Sequence, residues 1–188
     1  MKERPILFST EMVQAILAGR KTQTRRVVKP HPKKELNFFG WKLPEYIQVA
    51  FGRGTKIESL HKFPFGEVGD VLWVRETYLN FNSTDKTPNY IYKADHPNFH
   101  VNFASGEKWK PSIYMPKAAA RIWLEITNVR VERLQEISEE DAIKEGSIYL
   151  LNVREWFSDL WQSINGEKSW NENPWVWVIE FERIEKPI

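Results

Sequence analysis

Three strand-like apolar runs lie far apart in this chain: Val71-Leu-Trp-Val74, the alternating stretch from Ile122 to Leu134, and Trp175-Val-Trp-Val-Ile-Glu-Phe181. Patterns of this kind mark strands that bury one or both faces. Between them the sequence offers only three helix-like stretches and no regular strand-helix-strand alternation. The expected architecture is therefore α+β: a mixed, mostly antiparallel sheet curled into a small barrel, with helices at its flank. At 188 residues the chain can bury a full core and calls for a single domain spanning residues 1–188.

Local signals place the elements. Ile6-Leu-Phe8 reads as a short buried strand, and Ser9 or Thr10 then caps a helix with Met12, Ile16 and Leu17 on one face. Gly19 suits the left-handed conformation that ends such a helix, so the chain turns sharply and presents Arg20 and Lys21 at a corner. Thr22 to Lys29, rich in β-branched residues, follows as a strand. Gly69-Asp70 signals a tight turn, and Asn128 a bend within the 122–134 run. Ser138-Glu-Glu-Asp141 has capping-box spacing and opens a helix that ends at Glu145-Gly146. Residues 154–164 form an amphipathic helix with the stripe Trp156, Phe157, Leu160, Trp161 and Ile164. Residues 30–65 show no sustained period and read as an ordered excursion from the main plan, and residues 80–116 read as a second, irregular insertion.

There is no cysteine, so neither a disulfide framework nor a thiolate metal site is available, and a reducing compartment is expected. No apolar run reaches signal-peptide length at the N-terminus or the ~20 residues of a membrane span, which points to a cytoplasmic protein without a membrane partner. Of the four histidines only His96 and His100 have a spacing suited to one metal, and Pro97 between them argues against a helix, so neither metal nor cofactor is expected. The net charge is only +2, but it is uneven: residues 1–34 hold nine bases against two acids, while acids outnumber bases in residues 135–188. Such asymmetry steers an anionic ligand to one face or draws two parts of the barrel together.

The segment Gly19-Arg-Lys-Thr-Gln-Thr-Arg-Arg26 packs four bases and two hydroxyls into eight residues. Three readings are open: a solvated strand edge, a phosphate or nucleic-acid contact, and catalysis. In the last, a threonine hydroxyl needs a base, and a lysine serves only when burial and neighbouring cations lower its pKa. Residues three apart in a strand face opposite ways, so Lys21 and Thr24 can meet only if the corner after Gly19 or a bulge rotates Lys21. Glu76, leaving its strand near the expected barrel mouth, is either a functional acid or an ion-pair partner of Arg75 or a neighbouring strand. Among the nine tryptophans, Trp156, Trp161, Trp175 and Trp177 lie on patterned elements and read as core. Trp41, Trp109 and Tyr114 lie in the insertions beside Lys42, Lys108 and Lys110, where they either stack on a base or pin the insertions to the barrel.

The string Leu17-Ala-Gly-Arg-Lys-Thr-Gln-Thr-Arg-Arg26, followed by Gly69-Asp-Val-Leu-Trp-Val74 and Ile137-Ser-Glu-Glu-Asp-Ala-Ile-Lys-Glu-Gly146, resembles the ASCH domain family of the PUA-like superfamily. Trp109-Lys-Pro-Ser-Ile-Tyr-Met-Pro116 and Asn173-Pro-Trp-Val-Trp-Val178 are similar to the longer ASCH-like proteins of phages and bacteria. The resemblance implies a small β-barrel associated with RNA. By the motifs of the compact members that hydrolyse N(4)-acetylcytidine, it implies Lys21 as base, Thr24 as nucleophile, Glu145 as acid or orienting group, and Arg26 beside the developing oxyanion. Arg20, Arg25, Glu76, Trp109 and Lys110 would complete a binding cleft. The function so implied is an amidohydrolase acting on an acylated nucleoside. Its rivals are an RNA-binding module without chemistry and a ribonuclease using the same basic cleft.

Overall fold

The computed structural model describes residues 1–32, 37–43, 46–82, 88–98 and 108–187. The three apolar runs become the middle of one sheet: β6 (Val71–Arg75), β9 (Trp123–Arg133) and β10 (Trp175–Ile184). Two strands from the N-terminal part complete it at its edges, β1 (Glu3–Leu7) and β2 (Gln23–Val27), giving the order β1-β6-β9-β10-β2. All neighbours in this sheet are antiparallel except β1 and β6, which run parallel with Glu3 opposite Val71. The bend expected at Asn128 is a register shift: Asn128 faces Glu180 and Ile126 faces Phe181, so Thr127 is the extra residue.

Alternation along β10 feeds two cores. Trp177, Ile179 and Phe181 belong to the main cluster with Ile6, Phe8, Leu72, Val74, Leu124 and Ile126. Val176 and Val178 point the other way, into a second cluster with Leu134, Ile137, Ala142, Phe157 and Trp161. Helix α1 (Thr10–Leu17), capped by the Ser9 hydroxyl accepting from Met12 N, buries Val13 and Ile16 in the first. Helices α2 (Glu139–Lys144) and α3 (Val153–Asn165) build the second, and the Ser138 hydroxyl caps α2 by accepting from Asp141 N as its spacing implied.

Both insertions contain strands, the second against the irregular reading of its sequence. The first holds an antiparallel meander, β3 (Asn37–Leu43), β4 (Tyr46–Arg53) and β5 (Lys56–Lys62). Val49 and Phe51 of β4 join the main core with Phe63, and Phe51 and Phe38 pack on Trp175 at 5.3 and 5.4 Å between ring centroids. The second begins with a hairpin, β7 (Tyr78–Asn82) and β8 (Pro88–Tyr92), onto which Lys110 is bridged through reciprocal backbone bonds with Tyr78.

No closed barrel forms among the described residues, because β1 and β2 end the sheet without a backbone pairing between them. The sheet does curl far enough to bring these edges together. Arg26 of β2 reaches across and donates from Nη2 to the Leu7 carbonyl of β1 at 2.9 Å. Among the described residues no helix is long and apolar enough to cross a membrane.

Candidate active site

The site forms where the two sheet edges approach. Gly19 takes φ +73°, and the next two amides, of Arg20 and Lys21, both donate to the Ala15 carbonyl at 2.9 and 3.1 Å. This corner turns Lys21 inward, but onto Glu145 rather than onto Thr24. Lys21 then forms an isolated antiparallel bridge with Glu145 at the C-terminus of α2, and Thr22 N donates to the Lys144 carbonyl. Gly146 makes that approach possible: at φ +109° it passes so close that a Cβ would lie 2.9 Å from the Ala15 Cβ and 3.2 Å from the Lys21 Cβ.

The Lys21 side chain is fully buried, and Nζ donates to Glu145 Oε2 at 2.7 Å and to the Glu145 carbonyl at 2.9 Å. Burial pushes the Lys21 ammonium below the usual lysine range; Glu145 opposes this, and the nearby charges of Arg26 and Arg25 add to it. The other carboxylate oxygen, Oε1, accepts from Arg25 Nη1 at 3.0 Å. Arg25 is equally buried, and its Nη2 donates to Glu132 at 2.6 Å and Asp141 at 3.0 Å. Arg130 reinforces the cluster by pairing with Asp141, Glu132 and Glu180.

In front of this ionic layer lies a cavity of about 370 Å³, within the range of small-molecule clefts. Thr24, Arg26 and Glu145 contribute its polar lining; Phe8, Met12, Phe157, Leu160, Trp161 and Ile164 are apolar walls. Arg26 Nη1 donates to Thr24 Oγ1 at 2.7 Å, placing a guanidinium beside that hydroxyl. No hydrogen bond joins Lys21 to Thr24. Instead Lys21 Nζ and Arg26 Cζ both lie over the Phe8 ring, 5.7 and 5.2 Å from its centroid.

The structure thus brings together Lys21, Thr24, Arg25, Arg26 and Glu145. Arg20 stands at the rim, donating to the Gly146 carbonyl at 2.6 Å. Glu76 is buried but its partner is Arg121, whose Nε and Nη2 reach its two oxygens at 2.8 and 3.0 Å; Arg75 instead donates to the carbonyls of Met115 and Ile113. Burial raises the Glu76 carboxyl above the ordinary range, against the pull of Arg121. Glu76 does not line the cavity, although its neighbour Thr77 does.

Trp109 is half-buried and Lys110 exposed, with Nζ 6.0 Å from the Tyr78 ring centroid; neither lines the cavity, to which the second insertion contributes Ser112. The side chains of Trp41 and Lys42, and all of His100, fall outside the described residues. Among the described residues no group of three or more His, Asp or Glu is placed to hold a metal ion.

Sequence reasoning missed the cavity walls. The α3 stripe read as core is wider than the core it serves, since Ile164 is 54% exposed. That excess width was the available signal.

No protein-family model matches the sequence, and no curated protein matches it. Two solved structures align along nearly the whole chain. A hypothetical protein, PH0355, is 12% identical, with 98% of this chain and 100% of that one covered and a TM-score of 0.44. Protein EF3133 from Enterococcus faecalis V583, of family DUF984, is 13% identical, with 98% and 81% covered and a TM-score of 0.42. At these identities and scores neither likeness carries an argument.

Proposed function

We propose that this chain is a PUA-like domain of the ASCH type that works as an amidohydrolase on an acylated nucleoside such as N(4)-acetylcytidine. The observation that carries the reading is the buried Lys21–Glu145 pair set directly behind a largely apolar cavity that has Thr24 and Arg26 in its wall. A flat, uncharged base suits the rings of Phe8, Phe157 and Trp161, and its amide would meet the Thr24 hydroxyl and the Arg26 guanidinium of β2.

In this reading neutral Lys21 takes the proton of the Thr24 hydroxyl as Oγ1 bonds to the acyl carbon, and Arg26 stabilises the negative charge on the former carbonyl oxygen. The C–N bond then breaks, and the departing exocyclic amine of cytidine takes the proton that Lys21 removed from Thr24. Water hydrolyses the threonyl ester to free acetate and restore Thr24. The lowered pKa of Lys21 supports its role by enlarging the neutral fraction. Glu145 positions the amine through two hydrogen bonds. The reading requires Lys21 Nζ to reach Thr24 once substrate is bound.

Polyanion binding, whether by an RNA module or a ribonuclease, is less well supported. The cations it would need are spent internally: Lys21 and Arg25 on carboxylates, Arg20 and Arg26 on carbonyls.

Chromatography of N(4)-acetylcytidine incubated with the protein tests the proposal. Release of cytidine and acetate is expected, falling by roughly a hundredfold or more in Lys21→Met and in Thr24→Ala. No release by folded wild-type protein removes the amidohydrolase reading. RNA binding that weakens steeply with salt would then put the polyanion reading in its place.

A further inference from the structure

Strand β2 ends the sheet and has a ladder partner, β10, on one side alone. Backbone groups along an antiparallel strand alternate between its two edges. Val28 N donates to the Trp175 carbonyl at 3.0 Å and the Thr22 carbonyl accepts from Phe181 N at 2.9 Å, so the even-numbered residues serve β10. Arg25 and Val27 therefore turn their N–H and C=O groups to the open side. Three observations place that side on the cavity. The lining includes the four consecutive residues Thr24, Arg25, Arg26 and Val27, whereas a cavity against one face of a strand meets alternate residues. The Arg25 side chain is fully covered while the residue as a whole is 2% exposed, so what Arg25 offers is main chain. Arg26, whose Nη2 holds the Leu7 carbonyl across the gap between the sheet edges, reaches the Arg25 carbonyl with Nη1 at 2.9 Å. The same Nη1 donates to Thr24 Oγ1 at 2.7 Å, so a group bound at that carbonyl lies beside the proposed nucleophile. The carbonyl keeps a second lone pair, and among the described residues nothing accepts from the Val27 N–H. The open stretch is short, because the Lys21–Glu145 bridge occupies the edge just before it. It suits one planar ring better than an added strand.

We propose that the open edge of β2 selects the base through its main chain: the Arg25 carbonyl accepts from the exocyclic N4–H of a cytosine, and the Val27 N–H donates to the adjacent ring N3. The inference rests on the acylated-nucleoside reading of this cavity and names what chooses the base. Acylation leaves one hydrogen on N4, so substrate and product both present a donor next to an acceptor. Uracil presents the reverse order, a C4 carbonyl beside N3–H, which sets acceptor against acceptor and donor against donor. Discrimination of this kind needs no charge, in keeping with a cavity whose charges are already neutralised behind it.

The test uses 15N-labelled full-length protein, with the Val27 amide assigned through the backbone and followed during titration with cytidine and with uridine. Cytidine should move that resonance downfield in a saturable way, and uridine should leave it in place. Val27→Pro removes the N–H without touching the β10 ladder, since that N–H faces away from it. Val27→Ala keeps the N–H and serves as the control. Wild type and Val27→Ala should bind cytidine roughly tenfold or more tighter than uridine, and Val27→Pro should bring that preference below about threefold. An amide unmoved by cytidine, an equal response to both nucleosides, or a preference that survives in folded Val27→Pro overturns the proposal. Should Val27→Pro fail to fold, the wild-type titration decides alone. Hydrolysis of N(4)-acetylcytidine is run alongside. Release of cytidine with an unmoved resonance sinks the main-chain contact and keeps the amidohydrolase. A resonance moved by cytidine alone, without hydrolysis, does the reverse.

Discussion

Glu145 holds two buried cations, one on each carboxylate oxygen, and among the described residues it is the carboxylate paired with Lys21. Its removal therefore strands a charge in the interior, which is the costly way to break a buried ion pair. Glu145→Gln, which keeps the shape and removes the charge, is expected to lower unfolding free energy by about 3–5 kcal/mol, read from urea denaturation. Glu76 behaves differently. Its carboxyl is raised by burial, so the native state holds the proton more tightly than the unfolded chain does. The stability this provides is complete below the unfolded pKa and is lost as pH rises through the native one. Relative to Glu76→Gln, the wild type should lose stability as pH rises above the ordinary glutamate range; a calorimetric series with the opposite slope would refute the assignment. The Lys21–Glu145 pair was legible in the sequence only through motif resemblance, whereas the interior position of Arg25 was not legible at all. Its partners Glu132 and Asp141 lie 107 and 116 residues away, and a local run of bases says nothing about acids at that distance.

At the level of elements, what could be read followed from how regularly each one buries its side chains. α1 announced itself through Ser9 and Gly19, α2 through Ser138, and β10 through its continuous apolar run. The β3–β5 meander hid because small and polar residues break its apolar run: Ala50 and Gly52 are buried beside Val49 and Phe51, while most of β5 is exposed. The register shift between Phe51 and Gly52 works only with glycine. A Cβ on Gly52 would sit 2.0 Å from the Lys56 carbonyl oxygen. Gly52→Ala should therefore force the bulge open and cost about 1–3 kcal/mol in a thermal melt, with little effect on the cavity, which this strand does not line.

Across the whole molecule, the uneven charge of the sequence resolves into attraction between its two ends. The basic N-terminal segment and the acidic C-terminal third neutralise one another through Lys21, Arg25, Asp141 and Glu145. The mostly antiparallel sheet and its flanking helices could be anticipated from the spacing of the apolar runs. The parallel entry of β1 beside β6 could not, since strand direction is set by the path of the connecting chain and no residue pattern records it. The cavity likewise depends on how far the sheet curls, a property of its summed twist.

The pairing of β2 with β10 also bears on how the molecule comes into being. β2 has β10 as its sheet neighbour, and Lys21 waits for a partner 124 residues downstream. At ~5–20 residues per second, on the order of ten seconds of synthesis separate the appearance of that lysine from that of its carboxylate. Until β10 leaves the ribosome, the basic segment has its counter-ions Glu132, Asp141 and Glu145 on the same chain but no ladder to hold β2 beside them. The buried ionic layer is thus completed only at the end of synthesis, and a chain cut short before Trp175 would carry Lys21, Thr24 and Glu145 and still lack the strand that holds β2 in place.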